Sequence, residues 1–313
     1  MPSRLPTAAG LALGALVDLA LADPRRGHPV AGFGSAAAAW ERRTWRDSRT
    51  AGVGYAALCV GTAAALGTAV HRGTARFPLA RTAATALATW SVLGGTSLGR
   101  AAATMERHLA AGDLPAARAH LPTLAGRDPR ELGEPELVRA TVESVAENTS
   151  DAAVAPLFWG AVAGVPGLLA YRAANTLDAM VGYRSPRYER FGWAAARLDD
   201  VLNWVPARLT AALTVLTAPL AGGSAAGAVR AWRRDGAAHP SPNAGRCEAA
   251  LAGALGVQLG GRNVYGTRVE DRPRLGDGPA PERADIGRAV RLSRAVWTAA
   301  AALAVAVRLL RRG

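Results

Sequence analysis

Long apolar runs separated by arginine-bearing polar segments set the pattern of this chain. Residues 5–22 are apolar apart from Thr7 and Asp18. At about 1.5 Å per residue this run nearly spans a bilayer's hydrocarbon, and it reads as an uncleaved first membrane helix rather than a signal peptide. Runs at 51–70, 78–99, 205–221 and 295–310 are further spanning candidates. The third carries Gly94, Gly95 and Gly99, a small-residue face suited to close helix packing. Residues 152–170 are also apolar but are interrupted at Gly164-Val165-Pro166-Gly167, and each half is too short to cross alone. That predicts either a kinked span or a re-entrant helical hairpin whose tip other helices shield. The hairpin is preferred because it keeps Asp151 and Asp178 on one side of the membrane. The pattern as a whole predicts an all-α, polytopic integral membrane helical protein, with 1–313 forming a single membrane-embedded domain.

Residues 100–138 break this pattern. They are polar, with turn signals at Gly112-Asp113, Asp128-Pro129 and Glu134-Pro135, and predict a cytoplasmic insert containing two short amphipathic helices. Its Gly126-Arg127-Asp128 turn could grip a phosphate. A helix is expected from Pro135 through Arg139, Glu143, Glu147 and Asp151, which form one polar stripe at intervals of four. The stripe reads either as a solvated face or as chemistry at the membrane surface, and its entry into AAVAPLFWGAVAG favours the second.

Polar residues then recur as pairs three apart: Asn148 with Asp151, Asn175 with Asp178, and Asp200 with Asn203. On a helix each pair shares a face. Carboxylates and amides beside apolar runs are costly to desolvate, so residues 139–210 are expected to form an active-site core. Arg172, Tyr183, Arg197, Asp199 and Arg208 lie among these pairs, and the loop 184–193 is basic and aromatic. That loop suits either a phosphate or flat ligand, or an interfacial anchor. Near the start, Asp23-Pro24 and His28-Pro29 read either as a helix stop or as ligand-binding groups. In HPSPNAG, Asn243 is placed to cap the following helix; alternatively His239, Ser241 and Asn243 contact a ligand. The glycines of LGVQLGGRNVYG (255–266) could bring backbone amides to a phosphate.

Composition sharpens this picture. Half of the residues are hydrophobic, yet mean hydropathy is only +0.09, because Ala and Gly supply much of the apolar count and Arg offsets it. The net charge of +13 lies in scattered flanking arginines without a nucleic-acid-binding motif. It fits anionic lipid or phosphorylated substrates, and no nucleic acid. Arg25, Arg26, Arg42, Arg43, Arg46 and Arg49 mark a cytoplasmic loop, and Arg308, Arg311 and Arg312 a cytoplasmic C-terminal end. The chain contains no lysine. A pyridoxal-phosphate enzyme needs a Schiff-base lysine and a Walker A loop needs its own, so both chemistries are excluded. The two cysteines, Cys59 and Cys247, show no CxxC spacing and suit a reducing or buried setting.

The segments ENTSD, NTLDAMVGY, YERFGWAAARLDDVLNWVPAR and HPSPNAG, in this order, resemble the CobD/CbiB family of cobalamin biosynthesis, as does DLALADPRRGHPV near the start. The similarity covers nearly the whole chain and is densest over 139–267. It implies a multi-pass enzyme of the cell membrane, with its active site facing the cytoplasm. The implied reaction is ATP-dependent amide ligation of adenosylcobyric acid with (R)-1-aminopropan-2-ol phosphate. Under that resemblance Asp151, Asp178 and Asp200, beside Asn148, Asn175 and Asn203, would hold Mg²⁺ on ATP. Arg172, Arg197 and Arg208 would neutralise phosphate charge, and Glu143 or Glu147 would take the proton from the attacking ammonium. Asp23, His28, Tyr183, Asp199, His239 and Asn243 complete the expected binding residues. Other late corrinoid-pathway enzymes are conceivable partners. The alternatives are a scaffold or transporter for corrinoid assembly and an intramembrane prenyltransferase.

Overall fold

Prolines and glycines punctuate the helices. The computed structural model describes residues 4–24, 27–265 and 268–310, without the side chains of 263–270. Arg25, Arg26, Gly266, Arg311 and Arg312 lie outside the described residues. The helices are α1 (Arg4–Leu21), α2 (Pro29–Thr44), α3 (Arg49–Gly73), α4 (Pro78–Val92), α5 (Gly95–Ala110), α6 (Leu114–His120) and α7 (Glu134–Thr149). They continue as α8 (Ala155–Ala163), α9 (Val165–Leu177), α10 (Trp193–Leu202), α11 (Trp204–Thr217), α12 (Ala225–Asp235), α13 (Ala244–Leu255) and α14 (Arg283–Leu310). Single π-helical turns follow α7 (Ser150–Val154) and α9 (Asp178–Gly182). Among the described residues one antiparallel ribbon, β1 (Leu259–Tyr265) with β2 (Arg268–Leu275), interrupts the helices.

Among the described residues, four stretches are long and apolar enough to cross a membrane: Arg4–Leu21, Arg49–Gly73, Trp204–Ala221 and Arg283–Leu310. The expected run at 78–99 is not one helix. It stops at Val92, where Leu93 turns extended and Arg172 Nε takes the freed Val92 carbonyl at 2.9 Å. The polar insert does contain two short helices, α5 and α6, joined at Gly112.

The chain divides into two units made of interleaved segments. The first comprises residues up to Gly94, Ala155–Asn203 and Ala300 onward. Its helices meet through small residues. A Cβ on Gly10 or Gly14 would lie 2.5 Å from the Cβ of Thr85 or Thr89, so α1 sits directly on α4. A Cβ on Gly67 would lie 2.7 Å from Pro166 Cα, bringing α3 equally close to α9. The predicted interruption is a sharp reversal at Gly164, whose φ is 69°. A Cβ on Gly167 would meet the Trp159 carbonyl oxygen at 2.2 Å. Eight residues of uninterrupted helix would hold those positions about 12 Å apart, so α8 and α9 form a helical hairpin.

The second unit comprises Gly95–Val154 and Trp204–Ala299. Helix α7 is buried along most of its length, and α12 meets α13 where Gly227 faces Gly253. Gly95 and Gly99 do serve packing, against Trp297 and Val290 of α14. The β-ribbon has a register shift between Leu259 and Gly261. Gly260 and Gly261 there carry φ of 85° and 86°, a region that favours glycine.

Candidate functional site

Each unit gathers its own polar cluster. In the first, α9 and α10 build a hydrogen-bonded chain. Tyr171 Oη donates to Asn203 Oδ1 at 2.9 Å, and Asn203 Nδ2 donates to Asp199 Oδ2 at 3.0 Å. Asn175 Nδ2 donates to Asp199 Oδ1 at 3.3 Å, while Asn175 Oδ1 accepts from Arg172 Nη1 at 3.1 Å. The carboxylate between the two amides is therefore Asp199, one turn from Asn203, and not Asp200. Asp200 turns to Arg197 at 3.2 Å; burial raises its carboxyl, against the pull of that guanidinium. Asp178 opens the π turn, its Oδ1 lying 1.9 Å from where a Cβ on Gly182 would be, so a side chain there would displace the Asp178 carboxylate. Arg172 is held by the Val92 carbonyl and Asn175.

Other expected residues in this unit have local partners. His28 Nδ1 accepts the Val30 N–H at 3.1 Å and caps α2, while its Nε2 lies 3.2 Å from Asp23. That is the helix-boundary role, with Asp23 fixing the imidazole. Tyr183 is exposed and meets Tyr188 edge-on at 5.1 Å. Tyr188 Oη and Arg187 Nη2 both bond Glu41 Oε1, at 2.9 and 3.0 Å. Arg187 lies 4.6 Å over Trp45 and Arg49 5.3 Å over Trp193, the pattern of an interfacial anchor at the end of α3.

In the second unit Glu143 and Glu147 of α7 point inward. Glu143 pairs with Arg127 and accepts the Gly260 N–H at 2.7 Å. Arg139 donates to the Gly260 carbonyl and, at 2.6 Å, to that of Arg262. These two residues clasp the β-bulge, so the expected stripe is not a solvated face. They also occupy both backbone groups of Gly260, its amide being taken by Glu143. Asn148 Nδ2 returns to the Ser144 carbonyl at 3.0 Å.

Beneath the clasp lies a cavity of about 140 Å³ whose polar lining is Arg127, Glu143, Ser144, Glu147, Glu248 and Arg272. Glu248 is only 2 % exposed. Burial, then Glu143 and Glu147, push its carboxyl well above the usual range, against Arg272 and Arg127. Glu147 is likewise pushed up, chiefly by burial. His239 Nε2 stands 3.9 Å from Glu248 and 3.1 Å from Arg272 Nη1, while its Nδ1 accepts the Ser241 N–H at 3.0 Å. Outside this cavity an open cleft of about 660 Å³ is lined by Arg130, Arg139, Arg262, Asp128 and Glu136 among others.

The HPSPNAG turn departs from expectation in one respect. Asn243 does not cap α13; Ser241 Oγ accepts the Ala244 N–H at 3.1 Å instead. Asn243 Oδ1 accepts from Arg208 Nη1 at 3.3 Å. Asp151 lies close enough to the buried Cys247 to raise its thiol, after burial itself.

Glu248 and Arg272 were absent from the expected site. Glu248 had a signal, a lone carboxylate inside the small-residue helix RCEAALAGAL. Arg272 had none, being one charge among many. Of the three expected metal carboxylates, Asp178 and Asp200 belong to the first unit and Asp151 to the second. Among the described residues no group of three or more His, Cys, Asp or Glu is arranged to hold a metal ion. Mg²⁺ on a nucleotide needs only one or two carboxylates, with phosphates and water completing its shell. Asp178 on the π turn and Asp199 on α10 are carboxylates of the kind such an ion takes, and the amides of Asn175 and Asn203 orient Asp199.

Comparison with known proteins identifies the chain. The family model described as CobD/Cbib protein matches residues 11–293. "Cobalamin biosynthesis protein CobD" of Mycobacterium tuberculosis is 58% identical over 299 residues, 95% of each chain. The proteins of the same name from Geobacter metallireducens and Chromobacterium violaceum are 48% and 45% identical, covering 84% and 95% of this chain and 84% and 96% of their own. No solved structure matches. With its helices suited to spanning a membrane and its motifs in order along the chain, the protein belongs to the CobD/CbiB family and acts in cobalamin biosynthesis.

Proposed function

We propose that the chain is a carbon–nitrogen ligase, an adenosylcobinamide-phosphate synthase. It joins a propionate carboxylate of adenosylcobyric acid to the amine of (R)-1-aminopropan-2-ol phosphate and consumes ATP. The observation that carries this reading is a pair of carboxyls, the buried Glu248 and the half-buried Glu147, facing a small cavity with elevated proton affinity. An amine nucleophile arrives at neutral pH as an ammonium and must lose a proton before it attacks. A carboxylate whose pKa is lifted toward neutrality takes that proton better than an ordinary one.

The propionate must first be activated, as an acyl phosphate or an acyl adenylate. Nitrogen then bonds to the acyl carbon while the carbon–oxygen bond to phosphate or AMP breaks. Of the two protons the ammonium loses, one passes to the carboxylate and on to solvent and the other leaves on the released phosphate or AMP. Asp178 and Asp199 would hold Mg²⁺ on ATP, where the ion neutralises phosphate charge. The chain of Asn175, Asn203 and Tyr171 orients Asp199 for that task. The site faces the cytoplasm, where ATP is available, and the protein resides in the cell membrane.

Purified protein in detergent, given both substrates, Mg²⁺ and ATP, should form the amide by mass spectrometry only when ATP is present. Scoring ADP against AMP selects between the two activated species. Asp178→Asn should abolish product while the protein still inserts. Corrinoid binding without any amide would overturn the ligase and favour an assembly scaffold.

A further inference from the structure

The cavity between α7 and α13 has a size and a charge that together restrict what it holds. Its 140 Å³ corresponds to about five water volumes. Nucleotide- or corrin-sized ligands need several hundred Å³ or more. Only a small molecule, or the end of one, can enter. Three carboxylates line it against two guanidiniums, Arg127 and Arg272. Glu143 is satisfied by Arg127 and the Gly260 N–H. Glu147 and Glu248 share the influence of Arg272 and, after it, of Arg127, but neither guanidinium is hydrogen-bonded to Glu248.

Glu248 makes no hydrogen bond among the described residues, although it is 2 % exposed and lines the cavity. Its nearest ion-pair partner is His239 Nε2, at 3.9 Å, beyond hydrogen-bonding reach. A buried carboxylate costs several kcal/mol unless it is paired and hydrogen-bonded. The position is thus short of one positively charged donor.

We propose that this cavity is the ammonium subsite, in which Glu248 and Glu147 bind the primary ammonium of the amino-alcohol substrate and Ser144 closes one wall. The assignment rests on the ligase reading for the identity of the amine, but not for the presence of a cation site. It makes Glu248 a catalytic residue in contact with substrate. The carboxyls of Glu248 and Glu147 give up a proton on taking the ammonium, so binding releases a proton. The phosphate of the substrate stays outside, where Arg139, Arg262 and Arg130 line the larger cleft.

The test is calorimetric binding to the full chain in detergent, in two buffers of different ionisation enthalpy. The probes are 1-aminopropan-2-ol, which lacks the phosphate, and isopropyl phosphate, which lacks the amine. Wild type should bind 1-aminopropan-2-ol with proton release. Glu248→Gln keeps the shape and removes the charge. It should weaken that probe about tenfold or more, the loss expected for one charge-assisted bond, and abolish the proton release. Isopropyl phosphate should bind both proteins equally, which also shows that the variant is folded. Equal amine binding by Glu248→Gln and wild type would overturn the proposal. So would failure of wild type to bind the amine while it still forms the amide from the phosphorylated substrate. Amine binding lost in Glu248→Gln, with no amide formed by wild type under any condition, would uphold the cation subsite and sink the ligase reading instead.

Discussion

Asp199 and Asp200 are adjacent carboxylates with different environments, and residue-level chemistry separates them. Asp199 accepts one bond from Asn175 and one from Asn203. Asp199→Asn would set an amide against two amides, leaving at least one donor unpaired at about 1–3 kcal/mol. It should lower thermal stability and cut kcat by about a hundredfold, the larger effect on any assay of the detergent-solubilised protein. Asp200 faces the well-exposed Arg197 three residues away, a pair worth a few tenths of a kcal/mol. Asp200→Asn should leave stability unchanged and cost less than about tenfold in activity. A dead but fully stable Asp200→Asn protein would return the nucleotide-binding role to Asp200. The sequence made the Asn–carboxylate theme of α9 and α10 legible, because helical spacing puts such residues on one face. It could not choose between neighbouring aspartates. That choice depends on the rotation of α10 against α9, fixed by the contact of Tyr171 with Asn203 across 32 positions.

At the scale of elements, the apolar runs and the interruption at Gly164 were readable from composition and from proline and glycine placement. The β-ribbon was not. Its strands lie in a polar, glycine-bearing stretch, and its anchor is a bond from Gly260 to Glu143, 117 positions earlier. The end of α4 was equally hidden, because an arginine 80 positions later takes its last carbonyl. The bulge offers a direct test of whether the ribbon builds the site. Gly260 has φ of 85°, and a Cβ there would lie 2.0 Å from the Pro273 carbonyl oxygen. Gly260→Ala should therefore displace β1 from β2 and release Glu143 from its amide. The expected result is a lowered melting temperature and loss of amine binding, whereas Gly261→Ala meets only the flexible end of Arg139 and carries only the positive-φ cost. Equal behaviour of the two variants would remove the clasp from the argument.

Across the whole molecule, the charged groups inside the second unit give stability a particular dependence on pH. Glu147 and Glu248 ionise in the usual carboxylate range when unfolded but keep their protons to higher pH in the fold. The folded state binds more protons in that interval, so their contribution is complete below the unfolded pKa. It is lost as pH rises through the raised folded values. Arg272 and Arg127 moderate the loss without reversing its direction, Glu143 on the same cavity adds to it, and His239 stands beside Glu248. Asp235 has the opposite shift: the neighbouring Arg234 and then the Gly276 N–H hold it down. Its contribution is present above the ordinary aspartate range and fades as pH falls through the depressed value. Asp128 is also held down, by the well-exposed Arg130 beside it, and that pair counts for little. The two trends place maximal stability near pH 5, just above the ordinary carboxylate range and on the acid edge of the interval common for proteins. Thermal unfolding in detergent from pH 4 to pH 9 should show a melting temperature that declines steadily above about pH 5. Glu248→Gln removes one of the two groups and should make that decline shallower. Adding the amine substrate should flatten it in wild type alone, because a bound ammonium replaces the proton. A wild-type melting temperature that climbs toward pH 8 would mean that Glu147 and Glu248 are already paired by cations at neutrality. The cavity would then have no need of an ammonium.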